Sequence, residues 1–360
     1  MKNEKYVLDT PHFAPEYRYK GKTYLSPLQI IKEKGVLKVN PDSFKIINHP
    51  CFLFCPPNIL IDKDIKRVES QWKFQKHIVD QRIFISDIAN AMKEDALFIE
   101  KMYPDHTILA LVGGKDSLNM LLLPWKNQVL VASAEPNYPL VKEFLLNNNL
   151  KFDLIKLEDG TNFQPEKEIL INCCRLNLEH CRWTGHLDQI AESLGKKVII
   201  LKGQWGDNLF TDKWRRNDYL PPAFHIIGLK NKIVAQIRDK EKKIKYSISP
   251  DEHMQAYFFK NLWYESAHWQ GVHMSFLHEY LEVPVLSMYH NANVMRVITH
   301  TDFEKVVTSD LRKQIGETLI NRSLFYPDTN PSPPNSIVRK GLSGTNYYLE
   351  MVRKINIRVI

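Results

Sequence analysis

Residues 107 to 123 read TILALVGGKDSLNMLLL. An apolar run ends in Gly113 and Gly114, then come Lys115, Asp116 and Ser117, then good helix formers. Glycines reach positive-φ geometry without a Cβ penalty and can aim successive N–H groups inward, while a helix N-terminus adds donors and a positive dipole end. Together these make a cradle for an anion. Asp116 would be repelled by a bare phosphate, so an acid here points to a divalent cation bridging carboxylate and phosphate. Ser117 can donate a hydroxyl hydrogen bond to the same group. The same five residues also suit a tight strand-to-helix turn with a capping aspartate. A second stretch, VIILKGQWGDNLFTDKW at 198 to 214, is again an apolar run followed by a glycine turn and an acid, Asp207. Two strand ends, each with an aspartate, could converge on one metal, which a lone capping residue does not explain.

The elements that must position these residues follow from periodicity. Apolar strand candidates lie at 107–111, 129–133, 152–157, 169–173 and 197–201, with helical stretches at 117–123, 139–147 and 178–194. Continuous apolar strands alternating with helices indicate an α/β fold, a parallel sheet with helices on both faces. Residues 1–100 read as a small N-terminal region, proline-punctuated strand pieces such as SFKIINH and CFLFC first and helical spacing from Asp62 to Tyr103 after. Residues 101–360 form the main domain, with a mostly helical part at 251–325 and a loop or tail at 326–360. The stretch YPDTNPSPPNSIVRKGLSG is rich in proline and serine, cannot be a helix, and could be a tail or a loop folded back over a site.

The order G-x-x-x-x-G-K-S/T is absent, so this is not a Walker-type loop. Val112-Gly113-Gly114-Lys115-Asp116-Ser117 resembles the PP-loop, the Ser-Gly-Gly-x-Asp-Ser turn of ATP pyrophosphatases, with Val112 in place of the first serine. The 198–214 stretch resembles the Gly-x-Gly-Ala-Asp-Glu-Leu-Phe segment of asparagine synthetases, with Gly203, Asp207, Leu209 and Phe210 in step. The chain therefore resembles the asparagine synthetase and β-lactam synthetase branch over roughly residues 105–345. That resemblance implies an adenine nucleotide alpha hydrolase-like fold and an AMP-forming carbon–nitrogen ligase that adenylates a carboxylate and transfers it to an amine or ammonia. It implies ATP contacts at Leu111, Val112, Gly113, Gly114, Lys115, Asp116, Ser117, Ser133, Gly203 and Asp207, with magnesium on Asp116 and Asp207. HEYLEVPVLSMYHNANVMRVI resembles a later segment, in which Tyr280 stands where the β-lactam branch has the tyrosine of a tyrosine–glutamate base pair; Glu317 is the glutamate at the nearest spacing. The late basic pair resembles the loop that carries a charge-stabilising lysine, making Lys340 the candidate and Arg339 its rival. The resemblance's glutaminase domain needs a cysteine where this chain has Lys2, so ammonia would come from a separate glutaminase subunit, or the amine from a substrate.

Bulk composition bounds the rest. Hydrophobic residues make up 44% and charged residues 25% of 360, an ordinary globular composition. No run approaches the roughly eighteen apolar residues of a membrane helix, and the first residues lack a signal pattern. Five unevenly spaced cysteines do not make a disulfide framework, so a cytoplasmic, reducing setting is expected. Cys173, Cys174 and Cys181 with His180 and His186 lack paired metal-ligand spacing and read as buried thiols. The charge of +8 suits an anionic partner, but the basic residues are scattered and read as a lysine-rich surface more than a nucleic-acid footprint; the partners that the resemblance implies are a small-molecule or peptide carboxylate and an amine donor. Two rivals stay open: a tRNA-modifying PP-loop enzyme, and a degenerate module that binds ATP without cleaving it.

Overall fold

The computed structural model describes residues 16–24, 30, 33–37, 66–68, 77–159, 183–204, 206, 274, 277–278, 280–289, 291–302, 306, 310–328, 331 and 358–359. Its centre is a five-stranded, all-parallel sheet in the order β7-β6-β5-β8-β9, built from β5 (Thr107–Leu111), β6 (Val129–Ala134), β7 (Asp153–Leu157), β8 (Val198–Lys202) and β9 (Val285–Ser287). The central strands TILAL and VIILK are almost wholly buried, as strands covered on both faces must be, whereas edge strand β7 is exposed or half-buried up to Leu157. The α/β architecture expected from the alternation is present, and four of the expected strands appear within one residue of their expected bounds.

The order of strands locates the crevice. From β5 the chain steps outward through β6 to β7, then returns to the other side of β5 with β8 and continues to β9. The reversal falls between β5 and β8. Leu111 is in register with Lys202, so the glycine turn after β5 and Gly203 after β8 leave the sheet side by side. In open parallel sheets such a switch point, beyond the carboxyl ends of the strands, is where ligands bind.

Helices cover the sheet. α1 (Gln81–Met102) starts at Asp80, whose carboxylate accepts from the backbone N–H groups of Arg82 and Ile83 at 2.7 and 3.4 Å. Its apolar stripe of Phe84, Ile85, Ile88, Met92, Ala96 and Ile99 recurs at three- and four-residue spacing and joins the main core. α2 (Tyr138–Asn147) and α3 (Thr184–Ser193) follow β6 and precede β8, and α4 (Ala292–Thr299) and α5 (Leu311–Ile320) pack on α1. Five short strands belong to other sheets: an antiparallel sheet β2-β1-β4 (Lys22–Tyr24, Glu16–Tyr19, Lys66–Val68) and a parallel pair of β10 (Arg358–Val359) with β3 (Val36–Leu37).

Several expectations are corrected here. The helical stretch expected at 117–123 is a 3-10 helix that starts two residues earlier (Lys115–Leu122), with the N–H of Ser117 donating to the Gly114 carbonyl at 3.1 Å. A boundary at residue 100 would cut α1, whose core is the sheet's own. Lys66–Val68 is strand inside the stretch expected to be helical, and the part expected to be mostly helical contributes β9 to the sheet. The strand expected at 169–173, and the pieces SFKIINH and CFLFC, lie outside the described residues. No helix of the described residues is long and apolar enough to cross a membrane.

Candidate active site at the switch point

The turn after β5 is held from behind. The Val112 N–H donates to the Ala132 carbonyl at 2.8 Å, and the Ser133 hydroxyl donates to the Val112 carbonyl at 2.7 Å. Gly114 has φ 124° and ψ −168°, a geometry that side chains with a Cβ avoid. Gly113 is exposed, and a Cβ there would meet no atom within 4 Å, so this glycine borders open space. Ser117 faces inward at 7% exposure.

The two turns press together. A Cβ on Gly203 would stand 2.5 Å from the Ser117 Cα and 2.6 Å from its Oγ. A Cβ on Gly206 would stand 2.8 Å from the Asp116 carbonyl oxygen and 2.9 Å from the Tyr289 ring. The sequence thus brings its two glycine–acid turns to one place, with glycine where a side chain would drive them apart.

A third element completes the site. Arg312, the second residue of α5, forms an ion pair with Asp116 and reaches the Gly206 carbonyl with Nη2 at 3.4 Å. The guanidinium side chain is 8% exposed and the carboxylate 20%. Asp116 Oδ1 and Arg312 Nε are both buried without a hydrogen-bond partner, so the contact is a charge pairing of incomplete alignment. The Arg312 carbonyl accepts from Asn119 Nδ2 at 3.0 Å, tying α5 to the 3-10 helix, and Gly316 keeps the helices close: a Cβ there would stand 2.8 Å from Asn119 Oδ1. Tyr289 packs beside the pair. Its phenol is pushed well above the ordinary value by burial first and by the Asp116 charge second, with Arg312 opposing. Tyr326 is raised in the same way, by burial and by its neighbours Tyr289 and Asp116.

The start of the proline-rich stretch does fold back over the site. Tyr326 donates its hydroxyl to the Lys115 carbonyl at 2.6 Å, and Lys115 Nζ donates to the Asp328 carbonyl at 2.7 Å. Asn148, at the end of α2, anchors this strap, accepting from the Phe325 N–H at 2.8 Å and donating to its carbonyl at 2.9 Å.

The sequence-derived candidates therefore divide. Gly113, Gly114, Lys115, Asp116, Ser117 and Gly203 share the crevice. Leu111, Val112 and Ser133 stand behind the turn: Leu111 ends the central strand, the Val112 side chain is in the core, and the Ser133 hydroxyl donates to the Val112 carbonyl. Tyr280 and Glu317 are not a pair. Tyr280 precedes β9, on the side of the sheet opposite the turns, where burial and then Asp188 raise its phenol. Glu317 accepts from the Leu324 N–H at 3.2 Å and faces Lys313, which makes it a helix-end anchor. Asp207, Arg339, Lys340 and all five cysteines lie outside the described residues; His186 accepts from the Glu158 N–H at 2.9 Å.

For a divalent cation, the described crevice offers one carboxylate, Asp116, and that carboxylate already holds a guanidinium. No group of three His, Cys, Asp or Glu side chains able to hold a metal occurs among the described residues. Asp207, the second carboxylate expected to share such a cation, lies outside the described residues.

Sequence reading missed Arg312, Asn119, Tyr289 and Tyr326. A lone arginine near a helix start carries no local signature, but Gly316 inside DLRKQIGETL was one, because a helical glycine is costly unless something packs against it. Compared with known proteins, the chain matches no family model and no curated sequence.

Proposed function

We propose that the chain is an ATP-dependent, AMP-forming amide synthetase. The observation that carries this reading is the convergence of its two glycine–acid turns at the switch point, with Gly203 on Ser117 and Gly206 on Asp116. The exposed Gly113, the positive-φ Gly114 and the inward Ser117 suit the tail of a nucleotide triphosphate. A substrate carboxylate oxygen attacks the α-phosphorus, the bond to the β-phosphate breaks, and pyrophosphate leaves. An amine then attacks the acyl-adenylate carbonyl, and AMP leaves with the amide formed. Lys340 remains the proposed cation for the leaving pyrophosphate. Magnesium, implied by the sequence resemblance, would require Asp207 to join Asp116 and Arg312 to give way; when bound it would offset phosphate charge. The amine arrives on a small-molecule or peptide substrate or as ammonia from a separate subunit.

The test is product analysis. Purified protein with ATP, a panel of carboxylic acids and hydroxylamine as a surrogate amine should release AMP and pyrophosphate in equal amounts with hydroxamate. Release of ADP and phosphate overturns the mechanism. The ion pair on Asp116 favours one second reading, a module that binds nucleotide without splitting it, and saturable ATP binding with no product from any acid would select that reading.

A further inference from the structure

Basic residues that are scattered along the sequence are gathered by strand pairing in the small sheets. β1 and β2 form a hairpin, and β4 joins β1 from a distant part of the chain. Lys20 Nζ lies 5.0 Å and Lys34 Nζ 5.4 Å from the centre of the buried Tyr19 ring. β3, just after Lys34, pairs with β10 and brings in Arg358. The described residues of these segments hold seven Lys and Arg against two Glu, a net of five out of the chain's formal +8. One of those acids, Glu33, lies 3.9 Å from Lys22 Nζ. Two features set this charge against the sheet's own stability. Arg18 is directly across the ladder from Lys66, and like charges at facing positions destabilise a strand pair. Lys20 holds φ 48° and Gly21 φ 77°, a hairpin turn that asparagine and glycine fill most readily, so a lysine there is kept at a conformational cost. Charge that weakens its own scaffold is offset when an anion neutralises it.

We propose that β1, β2 and β4 form a docking surface for a nucleic-acid strand, held through its phosphates. A phosphate backbone meets flexible lysines without a fixed geometry, and its regular charge suits cations spread over several strands. A lipid surface takes apolar groups beside the cations, and among the described side chains none of the exposed large hydrophobic residues belongs to these segments. The assignment goes beyond the crevice and does not depend on the chemistry performed there.

Fluorescence anisotropy of a labelled single-stranded RNA of about 20 nucleotides and mixed sequence, titrated with the full chain at several salt concentrations, tests this directly. Wild type should bind, and its affinity should fall steeply with salt, roughly fiftyfold between about 50 and about 200 mM. Lys20→Gln with Lys22→Gln, at the hairpin tip, should weaken binding about tenfold and lower the salt slope by about 1.4. Lys142→Gln with Lys151→Gln, which removes the same charge from exposed positions outside these segments, should stay within about twofold of wild type. Arg18→Gln should weaken RNA binding about threefold while raising the urea midpoint, because it relieves the facing charges. No binding by wild type overturns the proposal, as does an equal loss in the two double variants. Tighter binding to anionic phospholipid vesicles than to RNA does the same. Should the hairpin-tip variant fail to fold by circular dichroism, Arg18→Gln decides: weaker RNA binding in a folded chain supports the surface, and unchanged affinity ends it.

Discussion

Gly203 and Ser117, on turns that follow different strands, are in backbone contact: a Cβ on Gly203 would stand 2.5 Å from the Ser117 Cα. The obstacle is main chain, in a turn tied to Ala132 and Ser133, so it cannot swing aside as a flexible side chain would. Gly203→Ala should therefore force the turns apart and destabilise the chain by about 1–3 kcal/mol. Gly113→Ala, on the open side of the same crevice, should stay within about 0.5 kcal/mol of wild type. Urea unfolding of both variants checks this, and equal midpoints for the two would contradict the close approach.

The Asp116–Arg312 pair should show strong coupling. Removing one partner strands the other charge in a poorly solvated place, at a cost of about 3 kcal/mol for each of Arg312→Met and Asp116→Asn. The double variant leaves no charge behind and should be more stable than the sum of the two losses by about 1–3 kcal/mol. A double-mutant cycle in urea measures the coupling directly. Additive losses would mean that the charges do not meet in solution.

The Tyr326 hydroxyl on the Lys115 carbonyl makes the strap a support of the glycine turn. Tyr326→Phe keeps the edge-on contact with the Phe144 ring, whose centroid is 5.8 Å away, and loses only the hydrogen bond. The expected cost is about 1 kcal/mol, together with faster amide hydrogen exchange across residues 113–118. Exchange that speeds up elsewhere but not in this turn would separate the strap from the site.

What was legible in the sequence was local. TILAL and VIILK announce buried strands because both faces of each must be apolar, and the glycines after them announce turns. The placement of β8 beside β5 is a property of strand order, which no local run encodes, yet it alone brings Gly203 to Ser117. Lys202 was left out of the apolar run although it closes β8 and is buried, because a lysine reads as the end of a strand. The proposed Tyr280–Glu317 pairing rested on distance along the chain, and each residue is engaged elsewhere, Tyr280 near Asp188 and Glu317 at Leu324. Arg312 was illegible for the converse reason. In DLRKQIGETL it is one of two adjacent basic residues, and only the packing of α5 on the 3-10 helix decides that it, and not Lys313, turns inward.

Asp95 gives the fold a pH dependence that does not involve the crevice. It sits on α1, fully buried, and its carboxylate accepts from the N–H groups of Asn293 and Val294 at 3.2 and 3.0 Å and from Asn293 Nδ2 at 3.0 Å, at the start of α4. Burial raises its pKa to about 6 from an ordinary 3.8, and the three hydrogen bonds only partly offset that rise. The folded chain therefore holds this proton more tightly than the unfolded chain does. Its contribution is fully present below pH 3.8 and is lost as pH rises through about 6, where the buried group must ionise. The swing from this one group is on the order of 3 kcal/mol. Comparison of wild type with Asp95→Asn by urea unfolding across this pH range isolates it: the difference between the two should shift against wild type as pH increases, then level off above pH 6 to 7. A difference that stays constant over the whole range would show that Asp95 does not change its affinity for the proton on folding.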